Sequence, residues 1–282
     1  MNENSILDTL IDLALSEDLG EHGDITSKSF IPENSHSIGK VIAKEDCVIA
    51  GSEIAERVFN KFDSSIKIDV LLKSGSSAQC NATVINLSGK TRSILSAERT
   101  ALNFIQRLSG IATLTKKYVD AVDGTNAKIL DTRKTTPGWR NIEKFAVLSG
   151  GGSNHRMGLF DMAMLKDNHL ANESDLELLQ KNIYLFKDKY PNARIELEAD
   201  TLKQVSQFVK MDGVDVILLD NMSENDLIEA VKYRSGSIQF EASGGINLET
   251  IHNVAKTGVD FISVGALTHS ASSVDLSLEL ES

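Results

Sequence analysis

The second half of the chain repeats one pattern, and this repeat constrains the fold more than any other feature. Short apolar runs occur six times, as AKILDT, MAMLKD, RIELEA, DVILLD, IQFEAS and FISVGA. Most of them are separated by segments with helical spacing, over residues 172–189, 202–210, 224–233 and 248–256. Strands that alternate with helices form parallel βαβ units. The spacing therefore predicts an α/β fold, and it allows either a barrel or an open doubly wound sheet.

The residues at the ends of these runs favour the barrel. Nearly every run ends in residues suited to chemistry, namely Asp131 to Lys134, Lys166 to Asn168, Glu198, Asp220 with Asn221, Ser243 to Gly245, and Gly265. In an α/β barrel the carboxyl ends of all strands open onto one face, where the chemistry takes place. An open sheet would disperse several of these residues. We therefore predict one pocket at the carboxyl ends of a barrel.

The first part of the chain has a different texture. Residues 6–15 carry apolar side chains at helical spacing, which predicts an amphipathic helix. Short β-branched runs between residues 37 and 89 predict a small sheet with one helix near Glu53 to Phe62. Residues 92–122 are predicted to be helical, with a break near Gly110. The alternating tail VDLSLEL predicts a strand that returns to the N-terminal sheet.

These patterns divide the chain into two predicted domains. A length of 282 residues allows one large domain or two ordinary ones. We expect an N-terminal α+β domain over residues 1–110, joined by the C-terminal strand 274–282. The α/β barrel is expected over residues 111–273.

Charge and composition limit the classes of partner. A formal net charge of −11 argues against non-specific nucleic-acid binding, which needs a basic face. No apolar run approaches the length of a membrane span, and the acidic N-terminal segment does not resemble a targeting signal. Cys47 and Cys80 lack the spacing of a zinc site or a disulfide framework. We therefore expect a cytoplasmic protein with no nucleic-acid or membrane partner.

Two segments gather cations where an anionic ligand could bind. Thr132, Arg133 and Lys134 follow the first barrel strand, in DTRKTTPGWR. Arginine grips a carboxylate with two parallel hydrogen bonds, whereas lysine offers a compact point charge. In GGGSNHRMG the glycines let the backbone approach a ligand, and His155 and Arg156 add donors. A solvated basic turn and a plain flexible loop are the alternatives, and the clustering favours a ligand with several anionic groups.

A lysine and two acids mark the next strand ends. Lys166 ends an apolar run, where it is costly to bury without an anion, unless its ammonium reaches the rim. Glu198 and Asp220 end successive strands, so they could hold a divalent cation or stabilise a developing positive charge. Each acid alone would be interpreted as a surface residue. Glu196 shares a face with Glu198, and the sequence leaves open which of them contacts a ligand.

The last two strands end in glycine-rich turns. Ser243, Gly244 and Gly245 follow one strand, and Gly265 follows the next. Backbone amides in such turns bind anions, and the late loops of α/β barrels are a frequent phosphate site. These turns therefore indicate a phosphorylated substrate.

Taken in order, these motifs resemble the quinolinate phosphoribosyltransferase family. The resemblance is carried by DTRKTTPGWR, GGGSNHRMGL, LKDNH, IELEADTL, ILLDN, EASGGI and ISVGALTHSA, and extended by ERTALNFIQRLSGIAT and GDITS. It implies an N-terminal sheet-and-helix domain followed by an incomplete α/β (TIM-like) barrel. It also implies a homodimer that shares its active sites. The implied activity joins quinolinate to phosphoribosyl pyrophosphate with release of carbon dioxide.

The resemblance also assigns roles to individual residues. Arg133, His155 and Arg156 would bind the carboxylates of quinolinate, and Arg99 would reach in from the partner subunit. The remaining substrate-binding positions are Thr132, Lys134, Lys166, Glu198, Asp220, Ser243, Gly244, Gly245 and Gly265. Among these, Lys134 and Lys166 would lie between quinolinate and the pyrophosphate, and the last four would bind the 5′-phosphate. The implied catalytic residues are Lys134, Lys166, Glu198 and Asp220. Glu198 and Asp220 would hold the ribose and Mg²⁺.

Small departures and three rival interpretations accompany the resemblance. Trp139 stands where a smaller apolar residue is expected, and Leu148-Ser149 precede the glycines where an Arg-Cys pair is common. A paralogue of the same fold, such as a molybdenum-transport-associated relative or a nicotinate phosphoribosyltransferase, would keep the phosphate loops. A Schiff-base aldolase would use Lys166 as its nucleophile. A non-catalytic phosphate-binding module would not need Glu198 and Asp220.

Overall fold

The computed structural model describes residues 3–166 and 176–281 of the chain. Within these ranges it contains ten helices and twelve strands. The helices are α1 (Glu3–Leu19), α2 (Ile25–Phe30), α3 (Ser52–Phe62), α4 (Thr91–Ala121), α5 (Arg140–Ser149), α6 (Leu176–Lys189), α7 (Leu202–Phe208), α8 (Glu224–Lys232), α9 (Ile251–Lys256) and α10 (Ala266–His269). The strands are β1 (His36–Ala43), β2 (Cys47–Val48), β3 (Lys67–Val70), β4 (Ser77–Ala78), β5 (Thr83–Lys90), β6 (Lys128–Leu130), β7 (Met162–Leu165), β8 (Arg194–Ala199), β9 (Val216–Asp220), β10 (Gln239–Ser243), β11 (Phe261–Ser263) and β12 (Leu276–Leu280).

The chain forms two compact units, each assembled from separate segments. The first consists of Met1–Lys116, Thr135–Gly151 and Leu267–Ser282, and the second of Lys117–Lys134 and Gly152–Ala266. Asp167, Asn168 and His169 of the LKDNH motif lie outside the described residues, as do residues 172–175 of a predicted helix. No helix in the described ranges has the length and apolar character that a membrane crossing requires.

The first unit is built on an antiparallel sheet with the order β12-β1-β5-β3. The C-terminal strand β12 pairs with β1, so that Leu280 lies opposite Gly39. This confirms that the tail returns to the N-terminal sheet. The predicted helix near residue 53 is α3, which buries Ile54, Val58 and Phe59.

Helix α4 continues through Gly110, so the predicted break there is wrong. A Cβ atom at Gly110 would lie 1.9 Å from the carbonyl oxygen of Ser272. The glycine therefore allows the backbone of Ser272–Ser273 to pack directly against the helix. A helical interior glycine costs only about 1 kcal/mol relative to alanine, which a long packed helix tolerates.

The second unit contains six parallel strands in the order β6-β11-β10-β9-β8-β7, and all six were predicted. β6 and β7 are the two edges of this sheet, yet Leu130 of β6 and Met162 of β7 line the same cavity of about 250 Å³. A flat sheet could not bring both edges to one cavity. The sheet therefore curls into an incomplete barrel, with an isolated bridge between Leu130 and Ser153 at its open side.

Helices α7, α8 and α9 lie where the sequence predicted them, and each is shorter than predicted. Thr201 caps α7 in a capping box with Gln204, and Ser223 caps α8. Helix α9 begins at Ile251 rather than Leu248. The side chain of Asn247 accepts the N–H groups of Glu249 and Thr250, which holds this stretch in a turn.

Candidate active site

The alternation of β8 places Glu196 and Glu198 on the same face but at different depths. Glu198 lies nearer the carboxyl end of the strand and forms an ion pair with the ammonium of Lys166. Glu196 is fully buried and faces His155, with Oε2 3.2 Å from Nε2. The two glutamates therefore have different partners, Lys166 for Glu198 and His155 for Glu196, and which of them contacts a ligand stays a prediction.

Asp220 lies close enough to Glu198 for the two charges to interact. Strand β9 ends at Asp220, one step beyond Leu219, which pairs with Ala199 of β8. Burial raises the pKa of Asp220, and the negative charge of Glu198 raises it further, while Lys166 opposes both. The amide of Asn221 donates to Asp220 Oδ2 at 2.6 Å. Two carboxylates and an ammonium therefore meet at the carboxyl edge of the barrel.

This arrangement fits a magnesium ion. Mg²⁺ prefers one or two carboxylates together with water and substrate phosphate oxygens. Two acids that repel each other, as the raised pKa of Asp220 indicates, are stabilised by a cation placed between them. Asp220 is only partly buried, which leaves access for water and substrate.

Arg133 and Arg156 converge in the second unit. Burial lowers the pKa of Arg156, and the positive charge of Arg133 lowers it further. Nε of Arg133 is buried and has no hydrogen-bond partner among the described residues. A buried donor without a partner costs about 1–3 kcal/mol, and two like charges add repulsion. An anion bound between the two guanidinium groups would relieve both costs.

Two aspartates hold the loops that carry these arginines. The buried carboxylate of Asp131 accepts the N–H of His155 at 2.9 Å. Asp161 accepts the N–H groups of Met157 and Gly158 at 2.7 and 3.0 Å. Within the loop that carries Arg133, the N–H of Lys134 also donates to the hydroxyl of Thr132 at 3.0 Å. The sequence placed Asp131 at a strand end without assigning it a role, and it did not single out Asp161, because contacts of an acid with backbone N–H groups leave no recognisable spacing.

His155 belongs to a second charged cluster, deeper in the barrel. Its Nε2 lies 3.2 Å from Glu196 and 3.4 Å from Oε1 of Glu241, a residue that the sequence did not assign to the site. Burial lowers the pKa of His155, but the close approach of the two glutamate carboxylates outweighs burial and raises the pKa to about 10. The N–H of Arg156 donates to Nδ1 at 2.7 Å, which favours the neutral ring instead.

The three side chains could be mistaken for a metal site, because their ligand atoms lie within 4.8 Å of one another. In both protonation states just described, however, Nε2 of His155 carries a proton. A metal ion needs the lone pair of that nitrogen. A histidine that binds a metal usually donates a hydrogen bond from its second ring nitrogen. Here Nδ1 instead accepts one from the N–H of Arg156. The cluster is therefore a histidine between two buried glutamates, and its geometry does not fit a metal ion.

Both ring nitrogens of His155 thus have partners within the protein, Nδ1 in its own loop and Nε2 in the barrel interior. Binding of quinolinate by this ring would require it to turn, so the predicted contact stays a prediction. Neither oxygen of Glu196 has a hydrogen bond among the described residues. The adjoining cavity of about 250 Å³ is polar and large enough for water molecules to hydrate them.

The glycine-rich turns follow directly from the strands that carry the acids. Ser243 ends β10 opposite Asp220. Gly244 and Gly245 have φ values of 97° and 62°, a backbone conformation that other residues rarely adopt. Gly265 follows β11 and directly precedes α10. The predicted phosphate-binding residues Ser243 to Gly245 therefore lie next to the acid that ends β9.

The N-terminal motifs are placed in the first unit. Arg99 is exposed on α4. Asp24 of GDITS caps α2 and accepts the hydroxyl of Ser96 on the same long helix at 3.0 Å. Trp139 stacks on Phe104 with ring centroids 4.8 Å apart, which explains why a large aromatic side chain is accommodated there.

A missed residue fixes the turn after the cationic segment. Glu143 is fully buried near the start of α5 and accepts the N–H and the hydroxyl of Thr136 at 3.0 and 2.8 Å. Arg107 of α4 lies 3.4 Å from the same carboxylate. The turn from Thr136 to Trp139 has Gly138 at φ 81° after a proline, as a type II turn requires.

Two family models match the chain almost end to end. The N-terminal domain of quinolinate phosphoribosyl transferase matches residues 24–109, and the C-terminal domain matches residues 111–279. A tobacco (Nicotiana tabacum) protein named quinolinate phosphoribosyltransferase (decarboxylating) 1b is 42% identical over 288 residues, covering 96% of this chain and 81% of its own.

Two solved bacterial structures have the same fold over the whole chain. NadC from Streptococcus pyogenes is 37% identical with a TM-score of 0.92, covering 100% of this chain and 98% of its own. The nicotinate-nucleotide pyrophosphorylase from Francisella tularensis is 39% identical with a TM-score of 0.92 and the same coverage. With its fold, its strand-end residues and these similarities, the chain belongs to the quinolinate phosphoribosyltransferase family.

Proposed function

We propose that the protein transfers the phosphoribosyl group of phosphoribosyl pyrophosphate to quinolinate. The products are nicotinate mononucleotide, pyrophosphate and carbon dioxide, in de novo NAD biosynthesis. This reaction is the one that the names of the similar proteins indicate. The observation that carries it in this molecule is the convergence of Arg133 and Arg156, with a buried guanidinium nitrogen that lacks a partner among the described residues.

The paired guanidinium groups suit the two adjacent carboxylates of quinolinate. Arg133 and Arg156 would bind them with parallel hydrogen bonds, and the hydroxyl of Thr132 and the ring of His155 would add polar contacts. We also propose that Arg99 of a second subunit completes this site in a homodimer. Its exposure on α4 supports this role, because an exposed arginine is available to another chain.

The other substrate would bind across three neighbouring strand ends. Ser243, Gly244, Gly245 and Gly265 would hold the 5′-phosphate through backbone and hydroxyl donors. Glu198 and Asp220 would contact the ribose and hold Mg²⁺, which supplies neutralising charge for the pyrophosphate. Lys134 and Lys166 would lie between the pyrophosphate and quinolinate.

The transfer breaks the bond between ribose C1 and the pyrophosphate oxygen, and the bonding electrons leave with pyrophosphate. Lys134 and Lys166 stabilise that leaving charge, while the carboxylates of Glu198 and Asp220 stabilise the positive charge that develops on the ribose. The ring nitrogen of quinolinate then forms the new bond to C1. The resulting pyridinium accepts the electrons released when the adjacent carboxylate leaves as carbon dioxide, and a proton takes its place.

The decisive test is the reaction itself. Purified protein would be incubated with quinolinate labelled in the 2-carboxylate, phosphoribosyl pyrophosphate and Mg²⁺. We expect labelled carbon dioxide and nicotinate mononucleotide in equal amounts, and loss of both on chelation of the metal. Nicotinate serves as the control substrate, because it lacks one carboxylate and leaves an arginine unsatisfied. Equal efficiency with nicotinate, or no release of carbon dioxide, would refute the proposal.

We further propose that the protein acts in the cytoplasm. Cys47 and Cys80 are both free thiols in the structure, which suits a reducing compartment. Fractionation of cells with an antibody against the protein tests this assignment, and recovery in an organelle or at a membrane would refute it.

A further inference from the structure

Asn221 stands between the acid that ends β9 and the glycine turn that ends β10. It is one of two described residues other than glycine with a positive φ, at 51°. Its N–H donates to the carbonyl oxygen of Ser243 at 2.9 Å. Its side-chain amide donates to Oδ2 of Asp220 at 2.6 Å. One residue thus binds the ends of both strands at once.

The same side chain fills the space above Gly244. A Cβ atom at Gly244 would lie 2.1 Å from Oδ1 of Asn221 and 3.0 Å from its backbone nitrogen. Gly244 therefore needs to be glycine for two reasons, its φ of 97° and the close approach of Asn221. The turn and the asparagine fit each other, so the position of one fixes the position of the other.

We propose that Asn221 is a positioning residue for phosphoribosyl pyrophosphate. It sets the distance between the Asp220 carboxylate, at the ribose end of the substrate, and the Gly244–Gly245 turn, at its 5′-phosphate. This inference rests on the proposed function, from which the two subsites are taken. Both of these contacts belong to one substrate, so an error in their spacing weakens binding of that substrate and not of quinolinate.

Asparagine suits this position for a chemical reason. It adopts a left-handed backbone more readily than other residues with a side chain, and its amide offers a donor and an acceptor together. Aspartate would keep the backbone but place a second negative charge beside Asp220. Glycine would keep the backbone and remove both side-chain contacts. Alanine would remove the contacts and strain the backbone as well.

These differences separate positioning from stability. Asn221→Gly is expected to keep the melting temperature and to raise KM for phosphoribosyl pyrophosphate roughly tenfold, the size expected from one lost hydrogen bond to a charged group. KM for quinolinate should stay within about twofold. Asn221→Ala should lower the melting temperature and raise the same KM by a similar factor. The affinity for phosphoribosyl pyrophosphate would then not follow stability.

Asn81 provides a matched control. It is the other described residue with a side chain and a positive φ, at 69°, and it lies in a turn of the first unit. Asn81→Gly makes the same backbone change and should leave both KM values unaltered. Calorimetric titration of each variant with phosphoribosyl pyrophosphate and Mg²⁺ measures binding without turnover.

Each outcome decides something. Wild-type KM and binding constants in Asn221→Gly would overturn the positioning role, and an equal loss for both substrates would overturn the assignment to phosphoribosyl pyrophosphate. If the wild-type protein binds this substrate but releases no carbon dioxide, the proposed function fails while the calorimetric comparison still tests Asn221. Loss of binding that tracks the melting temperature across the variants would leave only a structural role and refute the inference.

Discussion

The barrel contains two charged clusters of similar composition in different environments. At the carboxyl edge, Glu198 and Asp220 face Lys166. In the interior, Glu196 and Glu241 face His155, and both glutamates are almost completely buried. Each cluster has two acids and one base. Access to ligand therefore distinguishes them, more than the residue types do.

The position of a residue along its strand sets how deep in the barrel its side chain lies. Glu196 and Glu198 are two residues apart on one strand and point the same way, yet one lies inside and the other at the edge. Successive layers of an α/β barrel differ in depth by one such step. In the proposed function the edge cluster contacts substrate and metal, whereas the two acids of the interior cluster face His155.

The largest effect is expected for Arg133, which stands at the carboxyl end of the first barrel strand. Arg133→Ala should weaken quinolinate binding by about 2–5 kcal/mol, since it leaves a desolvated carboxylate without its partner. Binding of phosphoribosyl pyrophosphate should change far less. Calorimetric titration with each substrate measures both, and equal losses would contradict the assignment of Arg133.

Replacing an acid by its amide at either end of β9 tests whether only the acid at the carboxyl edge takes part in the reaction. Asp220→Asn should lower kcat roughly 100-fold, because its charge matters most as positive charge develops, with little effect on quinolinate binding. The control is Asp215→Asn, just before β9, where the carboxylate accepts the N–H of Ile195 and pairs with Lys187.

We expect Asp215→Asn to lower stability but to leave kcat within about twofold, because its partners are structural. Initial rates at saturating substrate and Mg²⁺, together with thermal melts, measure both variants. A kcat for Asp220→Asn that matches the wild type would remove the acid from the reaction.

If the two subunits share the active site, mixing two inactive variants should restore part of the activity. Arg99→Ala and Asp220→Asn proteins should each be nearly inactive alone. After subunit exchange, mixed dimers carry both lesions in one site and an intact pair in the other. Recovery should approach about a quarter of wild-type activity for random exchange in a two-fold dimer. If mass spectrometry confirms exchange and the mixture remains inactive, Arg99 does not act across a subunit interface.

The interior cluster should affect mainly the pH dependence of the free energy of unfolding. The pKa of His155 is raised from 6.5 to about 10. A raised folded-state pKa stabilises below the unfolded value, so its contribution is complete below about pH 6.5 and is lost as the pH rises towards 10. Urea unfolding of wild type and His155→Gln should show a free-energy difference that shrinks over this window. A constant difference would mean that the Arg156 N–H keeps the ring neutral.

Much of the fold follows from local patterns. All six barrel strands and the returning tail were predicted, because apolar runs bounded by turn residues identify strands without reference to partners. Helix α5 was missed. It is short, and its Glu143 and Lys144 are fully buried, although nothing in the sequence indicated burial of these charged residues. The break at Gly110 was wrong because the packing of Ser272 lies far away in sequence.

In the candidate site, too, local features were predictable from the sequence and contacts between distant residues were not. The sequence by itself determined which residue types stand at the strand ends, from Arg133 to Gly265, since strand ends are local features. Only the tertiary structure decided that Glu196 faces inward to His155 and Glu241, that Arg133 meets Arg156, and that Asn221 locks onto Gly244. These partners are separated by 23 to 45 residues along the chain. Side-chain period places a residue on a face, but the curl of the sheet decides its depth and its neighbours.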